Sequence, residues 1–565
     1  MTSKLIKKNL NRKPNLENYQ KTVHYFSWKA GEKELFWFKD KKINAAYNAV
    51  DRQIFGPRKN KVALYWQGEK GQKEQLTFLE LSLLSNQFGN FLKDLGVKRG
   101  ERVFFFLPRI PPLLWGFLGT LKIGAVAGTL FAAFGPQALL DRLSNSQAKI
   151  LVTNKELYPR LSKIEKLLPN LKRIILAENL VKLISKYPNR LRIAKMNPQE
   201  PAFMLYTSGT TGKPKGVVHA HHAIVVQHLT AKWVLDLKED DVYWCTADPG
   251  WITGIAYEIL GSWSNGASTL IYEGRFDPCK WYELIEDYRV NVWYTAPTAI
   301  RMLAAAGINL TKKYHLSSLR HLASVGEPLN PEAVSWGLKA FNLPFHDNWW
   351  QTETGGILIA NYPCLPIKPG SMGKPIPGIK AAIVSDRGVK IGINKIGNLA
   401  LKPPWPSMMI TIWRRPLKYR SYFVNGWYFS GDLAYQDKDG YFWFVGRADD
   451  IIKTAGERVG PFEVESTLLE HPAVAEAGVI GKPDPLRGQI IKAFVVLKPD
   501  LKGSPKLVKE LQNLVKSRLA GHAYPREIEF IDRLPKTRSG KIVRRLLRAK
   551  ELDLPLGDTS SLEEY

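Results

Sequence analysis

The chain has 565 residues, 45% of them apolar and 24% charged, which suffices for more than one buried core and excludes a disordered or fibrous polymer. Its three cysteines, Cys245, Cys279 and Cys364, lie far apart and match no metal spacing, so a disulfide framework is not expected and a reducing, cytoplasmic setting is. The net charge of +29 would suit nucleic acid or an anionic membrane, but the basic residues are spread along the chain. No zinc finger, aromatic RNA motif or helix-turn-helix pattern accompanies them, so no specific nucleic-acid partner is expected. A lysine-rich composition that attracts phosphate-rich small substrates fits better.

In chain order, the opening MTSKLIKKNLNRKPNLENYQK is basic but lacks the apolar stretch of a secretory signal. Residues 61–66 alternate as a strand does, and Gly68 and Gly71 mark a turn. Thr77 and Glu80 form a capping box ahead of a helix that stops at Gly96. RVFFFL at 102–107 reads as a buried strand. The apolar stretch 110–134 is broken by Pro111, Pro112 and Lys122, which makes it a buried helix and strand rather than a membrane span, so no membrane insertion is expected. A further helix leads to AKILVT at 148–153. The same alternation resumes at 292–294, 298–306 and 319–325, which predicts βαβ units in mainly parallel, doubly wound sheets. After Gly370 short strands and Gly/Pro turns predict a β-rich section, with a hairpin turn at 437–440. A compact α+β tail follows Asp449. The expected division is residues 1–448 and 449–565.

The apolar run 202–205 leads into YTSGTTGKPKG at 206–216. Glycines, hydroxyls and the cations Lys213 and Lys215 make this a mobile loop able to surround phosphates. Pro214 stands where a Walker A loop needs Ser or Thr, so that motif is excluded. Composition alone would favour a plain flexible surface loop; the specific order of the eleven residues does not.

Other runs accompany it: CTADPGWITG from Cys245, YTAPTAIRML from Tyr294, SVGEPLNPE from Ser324 and DNWWQTETGG from Asp347. Further along come FSGDLAY from Phe429, GRADDIIKTAGERVGPFEVE from Gly446 and LPKTRSGKI from Leu534. With these the chain resembles the adenylate-forming superfamily of acyl-CoA synthetases, and within it the acetyl-CoA synthetases, from about residue 15 to 554. The resemblance implies an α/β protein: a large N-terminal domain of doubly wound sheets with a β-rich subdomain, and a small mobile α+β C-terminal domain. It implies that ATP and acetate form acetyl-adenylate and pyrophosphate, after which coenzyme A takes the acetyl group and AMP leaves. Mg2+ is expected with ATP.

The resemblance also implies roles by position. Lys541 is the adenylation lysine, with Thr352 as phosphate ligand and Glu353 as magnesium ligand. Thr207, Ser208, Gly209, Thr210, Thr211, Gly212, Lys213 and Lys215 surround phosphates. Gly326, Glu327, Pro328, Asp347, Asn348, Trp349, Trp350 and Gln351 enclose the nucleotide. Asp432 accepts from both ribose hydroxyls, as a group with acceptors only can, and Arg447 completes that contact. Trp350 closes the acyl pocket, with Trp251, Ile252, Thr253 and Val325 as walls. Asp449 is the hinge about which the tail swings between half-reactions. Thr253, Gly456, Arg458 and Lys516 are the CoA candidates, and His471 is a metal candidate, although a His before Pro also suits a plain helix end.

Two positions depart from the pattern. Ala455 stands where many relatives have serine, and Lys516 replaces an arginine, so bidentate phosphate geometry is lost there. Propionate or another short acid is the alternative substrate; transfer to a carrier protein and a catalytically silent regulator are more distant readings. Lys541 is also the expected acetylation site, which would bring a lysine acetyltransferase and deacetylase as partners. The sequence leaves monomer and homodimer open.

Overall fold

The computed structural model describes residues 5–7, 12–209, 212–454, 457–499, 501–519, 521, 523–536 and 542–556. Four sheets organise them. The largest has the order Lys374–Pro375, Ile359–Ala360, Phe345–Trp349, His321–Ser324, Val292–Thr295, Val242–Cys245, Ser268–Tyr272, Val62–Gln67, Lys73–Thr77. Its six central strands are parallel, and the antiparallel pairs lie at its two edges. The second runs Thr411–Ile412, Gly212–Ala220, Pro201–Gly209, Val126–Leu130, Arg102–Phe106, Ile150–Thr153, Arg173–Leu176. Five of these are parallel, and a hairpin closes one side. Helices pack on both, as buried parallel strands require.

The expected elements form where the local signals put them. Thr77 and Glu80 exchange both bonds of the capping box at the start of the helix Phe78–Asp94, and Gly96 adopts φ +72° just beyond its end. The interrupted apolar stretch becomes the helix Pro111–Lys122 and the strand Val126–Leu130. Lys122 ends that helix fully buried; its ammonium donates to Asp51 at 2.7 Å and to Ser85 Oγ at 2.7 Å. A buried cation needs such a partner set, and removing one partner of a pair like this is strongly destabilising. Among the described residues no helix is long and apolar enough to cross a membrane.

The segment 206–216 differs from the expected mobile loop. Its described residues, 206–209 and 212–216, pair as antiparallel strands in which Tyr206 faces Gly216, Thr207 faces Lys215 and Gly209 faces Gly212. The apolar runs before and after it extend the pairing, so part of the backbone N–H row is spent on the ladder. Thr210 and Thr211 lie outside the described residues.

The β-rich section is an antiparallel sheet: Ala381–Val384, Gly397–Leu401, Trp427–Gln436 and Phe423–Val424, with Phe442–Arg447 also on Trp427–Gln436. In the tail, Ile452–Thr454 pairs with Glu457–Val459, and Val474–Asp484, Gly488–Leu497 and Glu527–Phe530 pair in turn. The helices Pro461–Leu469 and Pro505–Arg518 accompany this sheet. Its core is separate, built from Val464, Leu468, Val479, Ala493, Val495, Leu511 and Val515 among others.

Candidate active site

Parallel strands point their carboxyl ends the same way, and the loops leaving those ends collect the candidate residues. Register puts Cys245 beside Tyr294, Thr295 beside Ser324, and Ser324 beside Asp347. The loops 246–253, 325–328 and 350–354, distant in sequence, therefore leave the sheet at one level. Val325 N donates to Thr295 O at 3.1 Å, and the loop turns at Gly326 with φ +99°, a value that favours glycine. Asp347 steadies the turn from beneath: its Oδ2 accepts from Leu329 N at 3.3 Å, Oδ1 is buried without a partner, and burial pushes this carboxyl well above the usual range. Glu327 accepts from Thr298 Oγ1 at 2.7 Å and from Arg301 at 3.0 Å.

Asp432 is 3% exposed and ringed by donors. The indole of Trp349 donates to its Oδ2 at 2.9 Å, Gln351 Nε2 to the same oxygen at 3.0 Å, and Arg447 Nη1 to Oδ1 at 3.1 Å. Arg447 faces Asp432 across the antiparallel pair, so strand register alone brings them together. Gln351 is held in turn, donating to Ser430 O at 2.9 Å and accepting from Tyr428 Oη at 3.0 Å. Beyond Arg447, Asp449 lies 3.5 Å from its Nε.

Lys215 leaves the hairpin and meets Glu353 at 2.6 Å, both side chains being largely buried. The Tyr422 hydroxyl accepts from Lys215 and donates to Glu353 Oε1, the latter at 3.0 Å. The pair shifts each member toward its charged form against the cost of burial: the ammonium is raised and the carboxyl lowered. Glu353 sits on the short turn Thr352–Thr354. That turn is pinned by His219, whose ring nitrogens lie 2.7 Å from Thr352 O and 3.0 Å from Ser407 O. Trp405 Nε1 and Ser407 Oγ both donate to Thr354 O.

Trp350 is half-buried one residue beyond its strand. Its indole N–H donates to Tyr294 Oη at 3.3 Å, and its ring meets Tyr257 edge-on at 5.2 Å. Asn348 is turned into the sheet, accepting from Tyr294 Oη at 2.8 Å and donating to Ser324 O at 2.8 Å. Ile252, Thr253 and Val325 are buried, and Trp251 packs edge-on against Phe131 at 4.7 Å. Immediately after Thr253 the chain forms a π-helix, Gly254–Leu260, a rare geometry often found at functional sites. A Cβ on Gly254 would lie 2.5 Å from Pro249 Cα, so only glycine lets the loop close.

Other candidates are not gathered here. Lys516 is exposed at the end of its helix, its ammonium 5.8 Å from the centre of the Tyr524 ring. His471 follows the helix Pro461–Leu469 as a turn residue: its Nδ1 accepts from Ala473 N at 3.2 Å, and Glu510 is 3.9 Å away. No cluster of three metal-ligating side chains occurs among the described residues. Thr207 Oγ1 is buried without a partner. Gly456 and Lys541, and the side chains of Ser208, Lys213 and Arg458, lie outside the described residues. Sequence reasoning missed Tyr422, His219, Tyr294, Tyr257 and Tyr428. Only Tyr294 stood inside a recognised run; the rest reach the site by topology.

The description "AMP-binding enzyme" matches residues 51–413, and "AMP-binding enzyme C-terminal domain" matches residues 463–541. The chain is 55% identical over 562 residues to the acetyl-coenzyme A synthetase of Bacillus subtilis (strain 168), covering 97% of this chain and 98% of that one. It is 42% identical over 564 residues to the acetyl-coenzyme A synthetase of Methanothrix thermoacetophila, covering 93% and 86%. Among solved structures, an acyl-CoA synthetase of Brucella canis matches with a TM-score of 0.75 at 36% identity, over 95% of this chain and 99% of that one. An anthranilate CoA ligase, AuaEII, in complex with anthranoyl-AMP matches with 0.84 at 32% identity, over 90% and 97%. Two matched segments and full-length identity of this order leave one assignment: the chain belongs to the acetyl-CoA synthetase family of AMP-binding enzymes.

Proposed function

We propose that the chain is an AMP-forming acetate–CoA ligase. An acetate oxygen attacks the α-phosphorus of ATP, the bond to pyrophosphate breaks, and acetyl-adenylate forms. The thiol of CoA then loses its proton, its sulfur attacks the acetyl carbon, and the acyl–phosphate bond breaks to release AMP. The observation that carries this reading is Trp350. Its indole donates to Tyr294 and meets Tyr257 edge-on, and with the buried Ile252 and Val325, assigned as walls from the sequence motifs, it suits a pocket for a two-carbon acid. A filled pocket excludes extra carbons by overlap, whereas a loose one discriminates by only about 1–3 kcal/mol per methylene.

The charge that develops on phosphate needs preorganised donors. Lys215, Thr352 and the 206–216 segment are suited to the phosphates, and Asp432 with Arg447 to the ribose. Glu353 fits Mg2+, since it is a hard oxygen donor in a largely buried acid–base pair, and that ion favours a carboxylate with phosphate oxygens and waters. Bound with ATP, Mg2+ would be held by Glu353 and would offset charge on the phosphates, while Lys215 stands beside that carboxylate as a further cation. Lys541 is assigned, from the TRSGKI run, to bridge acetate and α-phosphate, and the tail from Asp449 is assigned to rotate between the two steps. An acetyltransferase and a deacetylase acting on Lys541 belong to this reading.

Exchange of labelled pyrophosphate into ATP, run with acetate, propionate and butyrate, is the test. Acetate should support the fastest exchange, and Trp350→Gly should admit the longer acids. Absence of exchange with every short acid rejects the proposal.

A further inference from the structure

We propose that Tyr294 is a positioning residue that sets the length of acid accepted, by tethering the indole of Trp350 through its phenol oxygen; this rests on the acetate reading above. Trp350 lies one residue past the strand Phe345–Trp349, so sheet pairing does not fix its side chain. The indole N–H of Trp350 has one hydrogen-bonding partner in the described structure, Tyr294 Oη at 3.3 Å. The remaining support is ring contact, including the edge of Tyr257 at 5.2 Å.

The tether is directional because the hydroxyls of Tyr294 and Tyr257 and the amide of Asn348 are already committed. Tyr294 is fully buried on the strand Val292–Thr295, between Cys245 and Ala323 on the flanking strands. Its hydroxyl proton goes to Asn348 Oδ1 at 2.8 Å, which leaves an oxygen lone pair toward the indole. Asn348 cannot turn away, since its amide donates to Ser324 O at 2.8 Å. Tyr257 is equally fixed. It accepts from Ile357 N at 2.7 Å and donates to Thr230 Oγ1 at 2.8 Å, whose own proton goes to Val226 O at 2.7 Å. The two tyrosines meet edge to face at 5.9 Å.

Terminal aromatic torsions are broad, so ring contact alone leaves an indole room to tilt. A ring held across the pocket excludes a third carbon by overlap; a tilting ring admits it. The phenol oxygen therefore decides selectivity without touching either substrate.

The experiment is Tyr294→Phe, which removes that oxygen and keeps the ring. The ratio of kcat/KM for acetate over propionate is expected to fall about tenfold, the loss of roughly one hydrogen bond, with the KM for ATP unchanged. In a Trp350→Gly background the same substitution should leave the ratio unmoved, because there is no indole to hold. Asn348→Leu, which unpins the phenol from its other side, should lower the ratio too and serves if Tyr294→Phe does not fold. An unchanged ratio in both single variants overturns the inference, as does an equal shift with and without the indole. Wild-type protein that turns over no acetate would instead reject the underlying function, so the two failures are distinguishable.

Discussion

Asp432 gathers three N–H donors from Trp349, Gln351 and Arg447, and an amide in its place would turn one donor toward another. Hydrogen bonds to a charged group contribute about 1.5–3 kcal/mol. Asp432→Asn is therefore expected to raise the KM for ATP on the order of 10- to 100-fold in pyrophosphate exchange; an unchanged KM would remove Asp432 from the ribose site. His221 makes a different residue-scale prediction. Its Nδ1 accepts from Ala45 N at 3.1 Å, and burial pushes its imidazole down to about 3. The unfolded chain takes up this proton near pH 6.5 and the folded chain only near 3. Stability is thus complete above pH 6.5 and declines as pH falls toward 3, by about 2 kcal/mol between pH 6.5 and 5. His221→Gln, with an acceptor for Ala45 and no titration, should lose less over that interval in urea melts at the two pH values. Parallel losses in both proteins would show that His221 does not carry the effect. Motif order singles out Asp432, Glu353 and Trp350 as candidates; it cannot single out Tyr422, since its contact with Glu353 spans 69 positions and no spacing rule covers it.

At the scale of elements, strong local chemistry was readable and competition between local and tertiary preferences was not. The capping box at Thr77 is satisfied on both sides, and Thr77→Ala should cost about 1 kcal/mol in a denaturant melt without altering KM for any substrate. A loss of activity larger than the loss of folded protein would contradict a purely local role. The 206–216 segment shows the other case. Its glycines and hydroxyls favour a loop, but the apolar runs on either side pair as strands and carry the ladder into it. The π-helix at Gly254–Leu260 had no sequence signal either; close approach of Gly254 to Pro249 is a tertiary condition.

Across the whole molecule, the tail meets the larger body where Gly460 lies against Val445, a contact in which a Cβ would come within 2.2 Å of the Val445 carbonyl oxygen. Phe462 also meets Phe444 edge to face at 6.0 Å. Within the tail, Arg544 forks onto Glu465 at 2.9 and 2.5 Å and approaches Asp450 at 3.7 Å. If the tail delivers Lys541 for the first half-reaction only, acetylating that lysine removes its charge where adenylation needs it. Acetylated protein should then fail to exchange pyrophosphate yet still form acetyl-CoA from supplied acetyl-adenylate. Loss of both activities would place the lysine in both steps.

The sequence alone determined the fold class, the order of its βαβ units and the family, because each depends on near neighbours: apolar period, capping pairs and contiguous motifs. Tertiary structure alone decided that Lys215 is paired with Glu353 under a tyrosine hydroxyl, that Asp432 is ringed by three donors, and that Trp350 leans on Tyr294. Those contacts join residues tens to hundreds of positions apart, and only strand order and register bring their side chains within reach of one another.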